Sequence, residues 1–483
     1  MDMLADKVRI GLVAPLGVAY IAAVLEQNGY EVKILDCAAE GYGEMTTYDS
    51  EIRYGLTDYQ IKRRLEEFKP DLVGVSCMFS NKAFDAHNVC RIVKEWNKDC
   101  ITVMGGSHPT ALPEETLHDH NVDYVVQGEG ELALQWYAAN FKRKTINCIP
   151  IQNLNSLPLP ARHLLPMDIY LSGQSAHSGL KNTPMANIST SRGCPGRCSF
   201  CAIRATFGDN YRERSPENVL AEIDHLIKTY HIRELHIEDD NFTANKKRAM
   251  AILQGIIDRK YNLSINSPSG LAIFAMDEEL LDKMKEAGYY SVSFAIESGV
   301  PWVLKELMHK HVDLEKAKRL VKYARSIGLK VKAFFILGMP GENKVTMHQT
   351  VEFAKELGAD WSLFFPATTL PGTEMDKTVR ANGWLVDPDL DYRYYFFKPN
   401  IRTPEFDPEF VLNLKEKANL ECNFTNNINM REGKYKRAFE DFQEVVKLYP
   451  NLVYAHMALM DVAIKMNLEW VINRDVKTGN KEE

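Results

Sequence analysis

Ile188-Ser189-Thr190-Ser191-Arg192-Gly193-Cys194-Pro195-Gly196-Arg197-Cys198-Ser199-Phe200-Cys201 places three cysteines at Cys-x3-Cys-x2-Cys spacing in one short loop. Three thiolates from one loop can hold three corners of an iron–sulfur cube, and the lack of a fourth cysteine nearby leaves one iron open to a ligand. A zinc site would want four ligands, usually two Cys-x2-Cys pairs or Cys with His, and no such pair stands close by. Nine cysteines in 483 residues are too sparse, and odd in number, for a disulfide framework. Spacing alone leaves zinc and buried structural thiols open, so the decision falls to the residues around the loop.

Downstream of Cys201 short β-rich runs alternate with helical stretches. Ser215-Pro216-Glu217-Asn218 opens a helix, with Ser215 as N-cap, Pro216 in the first turn and an acid where the helix dipole favours one. Leu220 to Tyr230 carries the helical pattern onward. Such alternation demands a parallel sheet with its loops at one end, and in barrels of this type the site lies at the carboxyl ends of the strands. Asp239, Glu297 and Gly338 all fall there. Singly, Asp239 and Asp240 read as turn residues, Glu297 as a solvated loop acid, and Gly338-Met339-Pro340-Gly341 as a tight turn. Their joint order carries the functional reading.

The triplet resembles the cluster loop of the radical S-adenosylmethionine enzymes, whose signature is Cys-x3-Cys-x-aromatic-Cys, with Phe200 in the aromatic place. Glu234-Leu235-His236-Ile237 running into Glu238-Asp239-Asp240-Asn241-Phe242 looks like the second barrel strand of that family, Ser291 to Gly299 like the fourth, and Val331 to Glu342 like the fifth. The resemblance spans 187–375. It implies a [4Fe-4S] cluster on Cys194, Cys198 and Cys201, with S-adenosylmethionine chelated at the open iron. It further implies Phe200 near the adenine, Glu297 reaching the ribose hydroxyls, the backbone at Gly338 facing the adenine, and Asp239 as a further nucleoside-binding candidate.

The first 140 residues read as a separate α/β domain. Glu31 to Asp36, Leu72 to Ser76, Ile101 to Gly106 and Asp123 to Val126 are short β-branched runs separated by helical segments, which predicts an open, doubly wound sheet binding a ligand beyond its strand ends. Ser76, Gly105, Gly106 and Gly128 lie at those ends, where small residues let a large planar ligand approach the backbone; alone they read equally well as turn residues. Pro15 to Leu25, Gly105 to Glu115 and Gln127-Gly128-Glu129-Gly130-Glu131 resemble the cobalamin-binding domain that precedes the barrel in class B radical enzymes. No Asp-x-His-x-x-Gly motif is present, because Asp85-Ala86-His87 is followed by Asn88-Val89-Cys90. The cobalt would then take no histidine from that motif. His87 is expected on an ordinary helix, and His108 behind the ligand-binding residues or in a loop rather than as a ligand. Only Met1 to Ala14 precede the Pro-Leu-Gly helix, so Val8 to Val13 is a first strand with a very short loop, or that strand is truncated.

These readings assemble into an α/β chain: a Rossmann-like cobalamin-binding domain at 1–145, a linker at 146–180 marked by Asn155-Ser156-Leu157-Pro158-Leu159-Pro160, a partial (β/α)6 radical barrel at 181–380, and a mainly helical C-terminal cap at 381–483. Within the cap, Tyr392 to Phe397 is strongly aromatic, Asn427 to Pro450 resembles one tetratricopeptide-like hairpin, and the tail from Lys477 is polar. A net charge of −7 gives no reason to expect a nucleic-acid partner. The longest apolar stretch, Leu12 to Leu25, is too short to span a bilayer, no signal peptide is read at Met1 to Lys7, and a reducing cytoplasmic compartment follows. The expected activity is methyl transfer to an unactivated carbon or phosphorus of a small-molecule or lipid substrate, with an external flavodoxin- or ferredoxin-type electron donor. The alternatives are a cyclase or oxidoreductase using the same cofactors, and a non-catalytic cobalamin or iron–sulfur sensor. An RNA methylthiotransferase is disfavoured because Cys37, Cys77, Cys90 and Cys100 do not reproduce a second cluster set.

Overall fold

The computed structural model describes residues 12–48, 51–135, 144–172, 180–387 and 399–466. Compactness divides the chain into one unit of Met1–Ser269, Glu286–Gly288 and Thr368–Ile401, and a second of Gly270–Lys285, Tyr289–Ala367 and Arg402–Glu483. The expected boundary near residue 145 is therefore internal to the first unit.

In the first unit, β1 (Leu72–Ser76), β2 (Ile101–Gly105), β3 (Tyr124–Gln127) and β4 (Thr145–Asn147) pair in parallel in that order. Three match the predicted runs; β4 lies across the expected start of the linker. Met104 and Val125 of this sheet pack with Cys90 of the helix Ala83–Trp96, all three fully buried. The predicted strand Glu31 to Asp36 carries no strand pairing among the described residues. Val32 and Ile34 instead pack on Ala22 and Ala23 of α1 (Leu16–Gln27), and Asp36 caps a short helix by accepting from the Ala38 and Ala39 amides. A strand needs a neighbour, and most of its expected one, up to Gly11, lies outside the described residues. The proline-bearing linker forms two short 3-10 turns, Leu154–Ser156 and Arg162–Leu164, and the Ala161 amide donates to Ala19 O of α1 at 2.9 Å.

The same unit holds β5 (Met185–Ile188), β8 (Glu234–Ile237) and β9 (Ser264–Asn266), a parallel sheet in the order β9-β8-β5. Between β5 and β8 lie β6 (Ser191–Arg192) and β7 (Arg212–Glu213), a short antiparallel pair. Every residue of β5 and β8 is buried, as strands covered on both faces must be. The helix Pro216–Tyr230 begins as predicted, with Ser215 Oγ accepting from the Asn218 amide at 3.2 Å.

The second unit carries β10 (Ser291–Glu297), β11 (Lys330–Leu337) and β12 (Trp361–Pro366), again parallel and in sequence order. The two units thus each hold a three-stranded parallel sheet in this part of the chain. Along β11, fully buried Val331, Ala333, Phe335 and Leu337 alternate with half-buried residues, and Phe335 stacks on Phe364 of β12 at 5.1 Å. The C-terminal hairpin is shifted from its expected span: Tyr435–Leu448 pairs with Val453–Lys465. Ala438 and Phe442 are fully buried, and Phe442 meets Trp361 of β12 edge-on at 6.4 Å. The aromatic run Tyr392 to Phe397 and the tail from Lys477 lie outside the described residues. Among the described residues no helix is long and apolar enough to cross a membrane.

Candidate active site

The cysteine loop leaves the carboxyl end of β5 through Ser189, Thr190 and the β6 pair. Gly193, at φ 80°, makes the turn into Cys194, and a Cβ there would lie 2.9 Å from Asn210 O. The loop then winds round Gly196: a Cβ on it would stand 3.4 Å from Cys194 Sγ and 3.8 Å from Cys198 Sγ. Cys194 Sγ also accepts from the Gly196 amide at 3.4 Å, and the Cys201 amide donates to Cys198 O at 3.1 Å. All three cysteines and Phe200 are half-buried. Among the described residues no three His, Cys, Asp or Glu side chains converge as ligands to a single ion. A cube does not ask for that convergence, because each thiolate takes a different iron. A short turn bracketed by thiols, with a glycine between them that leaves room, fits a cluster.

Consecutive residues after β8 grip this loop. Asp239 accepts from the Thr190 amide and Thr190 Oγ1, both at 2.5 Å, and from Ser191 Oγ at 2.6 Å. Asp240 accepts from the Gly193 amide at 3.0 Å, and Asn241 Nδ2 lies 3.9 Å from Cys194 Sγ. Burial raises both acids, against the lowering effect of their hydrogen bonds; Asp240 is pushed up to about 6. From the other side, the Met375 amide donates to Ser199 O at 2.9 Å. Sequence reasoning placed Asp239 against a nucleoside; the structure shows both its oxygens engaged by the segment that leads to Cys194.

The four small residues expected at the cobalamin edge do come together. Ser76 pairs in register with Gly105, and Gly105 with Val126, two residues before Gly128, so all sit at the carboxyl ends of adjacent parallel strands. Gly106 (φ 111°) is glycine for its own fold's sake, since a Cβ would meet Cys77 O at 2.5 Å. Around Gly128 there is room. Its amide donates to Thr110 Oγ1 at 3.0 Å, and a cavity of about 260 Å³ opens there, lined by Thr110, Gln127, Gly128, Cys148 and residues 204–208. Met78 and Phe79, beyond β1, are 51% and 61% exposed. An open strand edge with small residues, a cavity and bare apolar side chains fits a large corrin. His87 lies on its helix with Nδ1 2.8 Å from Asp119 Oδ2, and His108 is buried with Nδ1 3.0 Å from Ser80 Oγ. Burial pushes His108 down to about 4, which keeps it neutral.

Glu297 and Gly338 belong to the second unit. Glu297 closes β10 at φ 72°, where the register with β11 shifts, and its Oε1 takes Lys310 Nζ at 2.8 Å. A glutamate held in the left-handed region is strained, and such strain concentrates at functional positions. Gly338 and Met339 donate their amides to Glu342 Oε2 at 3.0 and 2.9 Å. Burial pushes Glu342 up to about 7. Glu342 was visible in the sequence only as the end of Gly338-Met339-Pro340-Gly341-Glu342, and its closure of that turn needed the coordinates.

Comparisons with known proteins bear on the family and the fold. The chain matches the Radical SAM superfamily model over 188–354 and the B12 binding domain model over 7–137. It is 35% identical over 460 residues to cytidylyl-2-hydroxyethylphosphonate methyltransferase of Streptomyces wedmorensis, covering 85% of this chain and 86% of that one. An uncharacterized methyltransferase of Pyrococcus horikoshii is 33% identical over 425 residues, covering 84% and 86%. In fold the chain resembles the cobalamin-dependent S-adenosylmethionine radical enzyme OxsB, with a TM-score of 0.66 at 16% identity over 93% of this chain and 69% of that one. The radical S-adenosylmethionine methyltransferase TsrM of Kitasatospora setae gives 0.61 at 20% identity over 78% and 74%. With both domain models matched in this order and a methyltransferase relative spanning nearly the whole chain, the protein belongs to the cobalamin-dependent radical S-adenosylmethionine methyltransferases.

Proposed function

We propose that the protein methylates an unactivated carbon of a small, anionic alcohol-bearing substrate, of the kind named for its Streptomyces relative. In this reading Cys194, Cys198 and Cys201 hold the [4Fe-4S] cluster, and Phe200, Glu297 and Gly338 receive the nucleoside of S-adenosylmethionine. Ser76, Gly105, Gly106 and Gly128 form the floor on which cobalamin lies. When bound, the cluster with S-adenosylmethionine supplies radical hydrogen abstraction, and cobalamin supplies the methyl group.

The chain's own work is to hold and to orient. Asp239, Asp240 and Asn241 fix the cysteine loop through Thr190, Ser191, Gly193 and Cys194. With the Gly338 amide engaged by Glu342, the carbonyl is what that turn offers an adenine. Lys310 holds one oxygen of Glu297, leaving the other for a diol. The observation that carries the reading is that the helix Ile203–Phe207, two residues past Cys201, lines the same cavity as Gly128. Electrons would come from an external flavodoxin- or ferredoxin-type donor. A reducing cytoplasmic setting suits Cys77, Cys90 and Cys422, whose burial pushes them up to about 12 and so away from thiolate chemistry.

The test is anaerobic turnover of protein reconstituted with iron, sulfide and hydroxocobalamin, given reductant, methyl-labelled S-adenosylmethionine and the relative's phosphonate substrate. A product one labelled methyl heavier, formed together with 5′-deoxyadenosine, is expected. Loss of hydrogens from the product without label would move the assignment to cyclisation.

A further inference from the structure

Arg192 stands two residues before Cys194 and reaches back to the loop that follows β3. Its guanidinium pairs with Glu129 at 3.2 Å and with Glu131, and lies 5.4 Å from the ring centre of Tyr20 on α1. Glu129 also pairs with Arg212, the residue opposite Arg192 in the β6–β7 pair, and its Oε2 accepts from the Ile151 amide at 3.0 Å. The Glu129 and Glu131 side chains are 2% and 4% exposed. Gly130 between them is tight, because a Cβ would come within 2.8 Å of Ile21 Cδ1. Two arginines of the cysteine-loop hairpin thus lock onto two glutamates of the segment Gly128-Glu129-Gly130-Glu131, whose first two residues line the cavity.

Stability alone is a poor reason for such a cluster. Taking four charges out of water is costly, and well-packed apolar side chains often do as well or better. What buried, charge-assisted pairs do provide is a fixed geometry that tolerates little displacement of either partner. A ligand seated against Gly128 restrains the carboxylates beside it, these restrain Arg192, and Arg192 restrains Gly193 and Cys194. An assembled cluster restrains the same chain from its other end.

We infer that Glu129, Glu131 and Arg192 are positioning residues that couple the two cofactor sites, so that cobalamin bound at the strand edge strengthens retention of the cluster, and the cluster strengthens retention of cobalamin. The inference rests on the cofactor placement proposed above. Coupling of this kind is reciprocal, with the same factor seen from either site.

The experiment uses the full chain reconstituted with iron and sulfide, and follows iron passing to a chelator with and without saturating hydroxocobalamin. In the native protein hydroxocobalamin should slow iron release at least about fivefold, and hydroxocobalamin should bind the apo-cluster protein more weakly than the cluster-loaded protein. In Glu131→Gln, and in Arg192→Lys, which keeps the charge but not the two-carboxylate fork, the ratio should fall towards one while each cofactor still binds alone. If Glu131→Gln does not fold, Arg192→Lys carries the test. A merely structural role would speed iron release equally with and without cobalamin and leave the ratio unchanged, and that result overturns the inference. A native ratio of one, with both cofactors retained by absorbance, overturns it too and leaves the cofactor placement standing. No cobalamin retained at all overturns both.

Discussion

Glu342 gives the sharpest quantitative prediction. Its carboxyl is fully buried and raised by that burial from 4.5 to about 7, although the Met339 and Gly338 amides and Thr346 favour the charged form. A proton held more tightly in the folded than in the unfolded chain contributes stability that is present below about pH 4.5 and is lost as pH rises towards 7. At 1.36 kcal/mol per pH unit the loss across that window is about 3 kcal/mol. Glu342→Gln preserves the shape, keeps an acceptor for the two amides and cannot ionise. The variant should therefore match the native protein near pH 5 and exceed it by about 2–3 kcal/mol near pH 8. Because a chain of two units need not unfold in one step, the comparison is made locally, by hydrogen exchange of peptides covering 335–350 at several pH values. Parallel pH curves for the two proteins would refute the reasoning, since they would mean that Glu342 is ionised in the folded state at no added cost.

The remaining predictions concern the cofactor-binding elements. Cys194→Ala, Cys198→Ala and Cys201→Ala should each abolish iron uptake on reconstitution, whereas Cys422→Ala in the second unit should not; equal iron in all four would remove the cluster from this loop. Asp239→Asn puts an amide donor against the donors of Thr190 and Ser191, at a cost of about 1–3 kcal/mol. It should lower both the urea midpoint and iron retention, and unchanged iron retention would show that the loop does not depend on this grip. Gly106→Ala forces a Cβ to 2.5 Å from Cys77 O at φ 111°, for a loss of about 2 kcal/mol or more; unaltered folding with unaltered hydroxocobalamin binding would contradict that account. Lys310→Met leaves the Glu297 carboxylate, 10% exposed, without its cation, so S-adenosylmethionine binding measured by calorimetry should weaken. Unchanged binding would place the nucleoside elsewhere.

Much of the site was legible because it is local. A cysteine triplet, a capped helix at Ser215 and a glycine turn at 338 are each written in a few adjacent residues, and their order along the chain supplies the strand ends that carry them. The same locality explains the shift of the C-terminal hairpin. The C-terminal hairpin kept its buried Ala438 and Phe442 but took a later second helix, because the helix that completes a hairpin is chosen by packing, here against Trp361 and Phe424.

By itself the amino-acid sequence determined the cofactors and the order of the two cofactor-binding regions, and it nominated residues to hold each, since metal ligands, turns and small residues at strand ends act over short stretches of chain. Only the tertiary structure decided what joins them. Asp239 faces Thr190 across 49 residues, and Arg192 faces Glu131 across 61. A charged side chain in sequence carries no sign of its partner, because an arginine bound for a buried glutamate reads the same as one bound for water; burial and separation in space distinguish the two.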